Sequence, residues 1–144
     1  AFGADAVLLI VAALSDAELR SLRDAASANA LDVLCETHNR AELDRALALR
    51  FDLTGVNSRD LRTFTIHSDL FPELAHHALA DHSGITLVAE SGIRSAKDIT
   101  ALRAAGYSAF LIGETLMRQP DPAETLAQLL GHERSTQAFQ TQAR

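Results

Sequence analysis

Thr86-Leu87-Val88-Ala89-Glu90-Ser91-Gly92-Ile93-Arg94-Ser95-Ala96-Lys97-Asp98-Ile99 is the stretch whose reading decides the fold. An apolar run of strand length, 85–89, gives way to the turn sequence Glu90-Ser91-Gly92, and then to Ser95 with Asp98 three residues later. A serine followed at that distance by an acid starts a helix: the hydroxyl accepts from a backbone N–H of the first turn, and the carboxylate reaches back to the N-cap. Ile99, Leu102 and Ala105 then recur at helical spacing. The unit is strand, polar turn, helix.

The same order extends along the chain in both directions. Strands are predicted near residues 6–12, 32–36, 53–57, 86–90 and 109–112. Ser15 with Glu18 and Asn39 with Glu42 open further helices, whose apolar faces are Leu19, Leu22 and Ala26, and Leu43, Ala46 and Leu47. Another helix is predicted over 68–79 with Pro72 in its first turn, and a last one follows Pro122 and ends by Gly131. Strands alternating with helices in this way form consecutive βαβ units, hence a parallel sheet with right-handed crossovers. The near-continuous apolar strands are those of a sheet buried on both faces. The fold class is α/β, and periodicity alone leaves open a five-stranded open sheet or part of a (β/α)8 barrel with its helices outside. Residues 1–131 are expected to form one domain, or part of one, and 132–144 a polar tail.

A chain of 144 residues, 47% of them hydrophobic, buries one core of ordinary size. Its formal net charge of −6 argues against nucleic-acid or anionic-membrane partners, which need clustered Lys and Arg. The longest apolar run, 6–14, is about half of what a bilayer span requires. Cys35 is the single cysteine and has no partner for an internal disulfide, which fits a reducing cytoplasm. The sequence starts at Ala1 without Met, and Gly3 reads as the stop of a preceding helix, so an upstream segment is expected.

Polar residues stand at the C-terminal ends of four of these strands: Glu36, Asn57, Glu90 and Glu114. In a barrel these positions converge on one mouth, where active sites of that architecture lie. The last two strands lead into Glu90-Ser91-Gly92 and Gly113-Glu114-Thr115. Glycine allows close backbone approach, and a helix N-terminus offers unpaired N–H groups, so both turns suit an anion such as phosphate.

Five blocks carry a family resemblance: Ala4-Asp5-Ala6-Val7-Leu8-Leu9-Ile10, Leu31-Asp32-Val33-Leu34-Cys35-Glu36-Thr37-His38-Asn39, Gly55-Val56-Asn57-Ser58-Arg59-Asp60-Leu61, Val88-Ala89-Glu90-Ser91-Gly92-Ile93 and Phe110-Leu111-Ile112-Gly113-Glu114-Thr115-Leu116-Met117-Arg118. In this order and spacing they resemble indole-3-glycerol-phosphate synthase, and look like strands four to eight of its TIM barrel. The resemblance implies a carboxy-lyase of tryptophan biosynthesis that closes the ring of 1-(2-carboxyphenylamino)-1-deoxyribulose 5-phosphate with loss of CO2 and water. It implies no redox cofactor and no metal. By the same resemblance Glu36 matches the general base, and Asn57 and Arg59 match residues that contact substrate. Glu90 matches a glutamate that contacts substrate and orients the catalytic groups. Ser91, Gly92, Gly113 and the Glu114 backbone match the phosphate cradle, and Leu8 an apolar wall beside the aromatic ring.

Two departures carry expectations of their own. Glu114 stands where some members have serine, so its carboxylate would repel phosphate unless it points away. The family's general-acid lysine of strand three, and the Glu and Lys of strand one, have no counterpart here. Lys97, the one lysine, lies in a predicted surface helix. Without those lysines, Glu36 and Glu90 lack their positive partners, so a closed site is expected to raise both pKa values and an open one to let water screen them. The sheet edges are expected to be open until missing strands or another chain cover them.

Other readings of the residues point elsewhere or nowhere. His67, His76, His77 and His82 show no zinc-like spacing, so no metal site is expected. Cys35, inside an apolar strand, reads as a core residue. Alternatives to the synthase are another phosphate-binding barrel lyase or isomerase, and a non-catalytic fragment that serves folding or assembly.

Overall fold

The computed structural model describes residues 3–82 and 84–132. Its five strands are β1 (Ala6–Ile10), β2 (Asp32–Thr37), β3 (Leu53–Asn57), β4 (Thr86–Glu90) and β5 (Ala109–Leu111). They form one parallel sheet in the order β1-β2-β3-β4-β5. The helices are α1 (Asp16–Ala28), α2 (Arg40–Ala48), α3 (Leu70–Asp81), α4 (Ala96–Ala105), α5 (Glu114–Met117) and α6 (Pro122–Leu129). Because each strand pairs with the next in sequence, right-handed crossovers put the connecting helices on one face of the sheet.

Strand alternation divides the side chains between the two faces. Cys35, Val56, Leu87 and Ala89 point into the core with Leu19, Leu43, Leu74 and Ile99 of the helices. Tyr107 closes that layer. Its ring meets Phe71 edge-on with centroids 5.4 Å apart, and its hydroxyl donates to the Phe71 carbonyl at 2.9 Å. Leu8, Leu34, Glu36, Gly55, Asn57, Val88, Glu90 and Leu111 occupy the alternate positions and so the other face. That face is half open: Leu8 keeps 41% and Leu111 49% of its surface exposed. Cys35 is buried as a core residue, and burial pushes its thiol up to about 12.

The predicted helix starts carry the expected caps. Ser15 with Glu18 and Ser95 with Asp98 form complete capping boxes, and Asn39 accepts from the Glu42 N–H. Lys97 is exposed on α4. Several boundaries differ from the sequence reading. β1 ends at Ile10, and Val11–Ala13 tightens into a 3-10 turn. There the Arg45 guanidinium takes the carbonyls of Val11 and Leu14, at 3.0 and 2.6 Å, so they serve no sheet ladder. β5 stops at Leu111 because its partner strand stops at the paired Glu90. α3 begins at Leu70, two residues later than predicted, which still leaves Pro72 in the first turn. The predicted tail lies, beyond His132, outside the described residues.

Candidate active site

The ends of β2, β3 and β4 bring three predicted residues together. In the parallel register Glu36 lies beside Gly55, and Asn57 beside Glu90. Glu36 and Glu90 are 6% and 1% exposed, so two carboxyl groups are buried side by side. The residue between them makes this possible: a Cβ at Gly55 would coincide with the Glu90 carboxyl group and crowd Leu34. Glu90 Oε1 fills that gap and has no hydrogen-bond partner among the described residues. Gly55→Ala should therefore displace Glu90 and cost about 1–3 kcal/mol through overpacking, measured by urea unfolding. A neutral result would mean that the gap is not filled by Glu90.

The two acids sit in unlike electrostatic surroundings. Burial, then the contact with Glu36 and its charge, raise Glu90 to about 8. Burial acts on Glu36 in the same direction, but it is outweighed. The contact with His38, then Glu90, the His38 charge and Asn57 hold Glu36 below the usual carboxylate range. The expectation that both acids would rise is thus corrected for Glu36, because a positive partner is present that the sequence reading did not assign. His38 Nε2 lies 3.2 Å from Glu36 Oε1, an ion-pair contact without the alignment of a hydrogen bond, and Nδ1 is hydrogen-bonded to Glu42 Oε2 at 3.1 Å. Glu36 and then Glu42 raise His38 to about 9 against the opposing effect of burial.

Glu42 is fixed in turn by α2. Its Oε2 accepts from the His38 backbone N–H at 2.8 Å, and its Oε1 accepts from Asn39 Nδ2 at 2.7 Å. These bonds, led by the one to the His38 side chain, outweigh burial and lower its pKa. The sequence reading gives Glu42 only a role at the start of a helix, and His38 and Gly55 no role in the site. The available signal was positional: Glu36 and His38, two apart at a strand end, share a face, and Glu42 lies one helical turn beyond His38.

The remaining predicted residues, except Leu8, gather beside this group. Asn57 Oδ1 accepts from the Arg59 N–H at 3.0 Å, which turns the chain toward the last two strands. A cavity of about 530 Å³ is lined by Arg59, Ser91, Gly92, Arg94, Gly113, Glu114 and Arg118, among others. Ser91 and Gly92 both adopt positive φ, 65° and 72°, and a Cβ on Gly92 would press on Ile66 and Ser58. Ser58 ties β3 to β4 through its N–H, which donates to the Glu90 carbonyl at 3.1 Å.

Glu114 does line this cavity, but its charge is engaged. Arg59 Nη2 and Arg118 Nη2 both bind its carboxylate, the latter at 2.8 Å. The Arg59 hydrogen bond, followed by the Arg118 charge, lowers its pKa. With Arg94 also in the wall, the cavity has more guanidinium than carboxylate groups. Leu8 stands apart on β1, paired in register with Leu34, toward the opposite edge of the sheet.

The model of the indole-3-glycerol phosphate synthase family matches residues 1–129. The chain belongs to that family. It is 54% identical over 135 residues to the synthase of Koribacter versatilis, covering 91% of this chain and 49% of the relative. To the Azospirillum brasilense synthase it is 51% identical over 130 residues, covering 90% and 48%. It thus spans about half the length of the family members it matches. Solved structures support the fold alone. A 3-hexulose-6-phosphate synthase superposes with a TM-score of 0.72 at 16% identity, over 90% of this chain and 62% of that one. Thiamine phosphate pyrophosphorylase from Pyrococcus furiosus gives 0.67 at 15% identity, over 89% and 58%. The architecture is that of consecutive units of a TIM barrel. Among the described residues no helix is long and apolar enough to cross a membrane.

Proposed function

We propose that this chain supplies the phosphate cradle and the base-bearing wall of an indole-3-glycerol phosphate synthase site in the cytoplasm. The observation that carries the reading is the juxtaposition of the buried Glu36 and Glu90 carboxyl groups with a glycine-lined cavity rich in guanidinium groups. The substrate is 1-(2-carboxyphenylamino)-1-deoxyribulose 5-phosphate. Its phosphate rests on Ser91, Gly92 and Gly113 with Arg59, Arg94 and Arg118 nearby, and its ring and carboxylate extend across the strand ends past Glu90, toward Leu8. Ring closure with decarboxylation is followed by loss of a hydroxyl group as water, so a base and an acid must both act. Glu36 is placed to accept the proton. Glu90, neutral at pH 7, contacts substrate as a hydrogen-bond donor. Arg59 is held by Glu114 in an orientation suited to an anionic group, where a planar guanidinium binds best. No metal or redox cofactor takes part in this proposal.

The departing hydroxyl also needs a proton donor, and in the family that role belongs to lysine. Lys97 is exposed at the second position of α4 and does not line the cavity. The 144 residues alone are therefore expected to show no turnover. Joined to the N-terminal half of the Koribacter versatilis synthase, they should form the indole product. A joined chain that folds but makes no product would overturn the reading.

Phosphate binding is separable from turnover. In an NMR titration of the chain, millimolar phosphate should shift amides near Ser91, Gly92 and Gly113, while anthranilate should not compete. Shifts scattered elsewhere, or none, would remove the cradle from the proposal.

A further inference from the structure

We propose that His38 is a positioning residue which, clamped as an imidazolium between Glu36 and Glu42, fixes the Glu36 carboxylate and directs the proton shared by the two buried acids onto Glu90. This rests on the reading of Glu36 as the base, and adds to it the group that makes Glu36, rather than Glu90, the ionised member.

Two carboxyl groups buried side by side at adjacent strand ends, with Glu90 reaching over Gly55 beside Glu36, cannot both ionise cheaply, so one proton stays on the pair. Something asymmetric must then decide which oxygen carries it. His38 touches Glu36, and its charge is only the weakest of the influences on Glu90. Its Nε2 is 3.2 Å from Glu36 Oε1 in ion-pair contact, and its other nitrogen is hydrogen-bonded to Glu42 at 3.1 Å, which fixes the ring. Only a doubly protonated ring presents an N–H to both carboxylates; either neutral tautomer leaves one nitrogen lone pair facing an oxygen. The side chain keeps only 10% of its surface exposed, so water competes poorly for these contacts.

Glu42 is itself the third residue of α2 and receives the His38 and Asn39 donors, so the helix N-terminus anchors the outer end of the clamp. The other charged groups near the imidazole are those of the segment after β3. Arg59, Asp60, Arg62 and His67 line a neighbouring cavity of about 410 Å³ together with His38 and Glu42. Their charges are mixed in sign, whereas the two carboxylates in direct contact are both negative. The protonated ring is therefore the favoured state, in line with its rise to about 9.

The test is an NMR titration of the 144-residue chain, following the imidazole nitrogens of His38 and the carboxyl carbons of Glu36 and Glu90. At pH 7.5 both His38 nitrogens should carry protons, Glu36 should be ionised and Glu90 neutral. In His38→Gln, the Glu36 midpoint should rise by about one pH unit or more, the range expected on losing an adjacent opposite charge. Glu42→Gln, which removes only the outer carboxylate, should lower the His38 midpoint by a similar amount and provides a second variant if the first does not fold. A role confined to packing would lower the melting temperature of His38→Gln without moving the Glu36 midpoint, and that result overturns the proposal. So does a neutral His38 at pH 7.5 in the unsubstituted chain. The titration involves no substrate, so failure of Glu36 as the base would appear separately, as turnover that survives Glu36→Gln in the joined enzyme.

Discussion

Glu36→Gln, in the barrel completed with the Koribacter versatilis N-terminal half, is expected to lower kcat by about 10²- to 10⁴-fold, the usual contribution of a positioned general base. The substitution keeps the shape of the side chain and its bonding capacity toward Asn57, but removes the ionised oxygen that takes the proton. KM should change far less, because the phosphate is held in the cavity around Ser91, Gly92 and Gly113. Glu90→Gln provides the contrast. Glu90 is raised to about 8 and is already neutral at pH 7, so an amide there preserves both charge and donor character. Its kcat at pH 7 should fall by less than about tenfold, the equivalent of roughly 1.4 kcal/mol. Steady-state kinetics of both variants at pH 7 compare the two acids directly. A larger loss from Glu90→Gln than from Glu36→Gln would reverse the roles assigned here.

Much of the scaffold could be read in the sequence because its signals are local. Ser15 with Glu18 and Ser95 with Asp98 satisfy their own backbone donors within three residues, so these helix starts do not depend on the rest of the chain. The apolar strands likewise report burial on both faces wherever they lie. Strand ends were less legible, since they depend on distant partners. β1 stops where Arg45 of α2 captures two carbonyls, and nothing within residues 6–12 signals an arginine more than thirty residues away.

The site divides along the same line. Glu36, Asn57, Glu90, Gly92 and Gly113 were recognisable from strand-end position and family resemblance. What tunes them was not. Gly55 reads as an ordinary strand glycine until the parallel register sets it between Glu36 and Glu90, where the absence of a Cβ makes room for a carboxyl group. His38 reads as one more histidine until the chain turns into α2 and places Glu42 on its far side. The repulsion attributed to Glu114 was likewise a one-residue reading, and Arg59 from another strand end and Arg118 one turn on neutralise it.

The isolated chain should also lose stability as pH rises from about 6 to 9. His38 is raised from its ordinary 6.5 to about 9, and Glu90 from 4.5 to about 8. A raised value in the folded state means that folding holds the proton more tightly than the unfolded chain does. That contribution is complete below the unfolded value and is lost as pH climbs through the folded one. For Glu90 the loss runs from about pH 4.5 to 8, and for His38 from about 6.5 to 9. Glu36, Glu42 and Asp98 are lowered and act in the opposite sense, adding stability above their ordinary values and losing it as pH falls through the folded ones. Their contribution is in place by about pH 6, so they do not offset the alkaline decline. Cys35 and Tyr107, both raised by burial, begin from ordinary values of 9.0 and 10.0 and add to the decline only beyond the window. Maximum stability is therefore expected near pH 5 to 6. The loss by pH 9 is of the order of a few kcal/mol, or on the order of 10 °C in Tm for a domain of this size. Thermal melts followed by circular dichroism at pH 6, 7.5 and 9 measure it. His38→Gln and Glu90→Gln should each flatten the decline, because each removes one of the two protons that the folded state retains. A Tm that is constant over this window, or that rises toward pH 9, would mean that the buried acid and imidazole do not hold those protons.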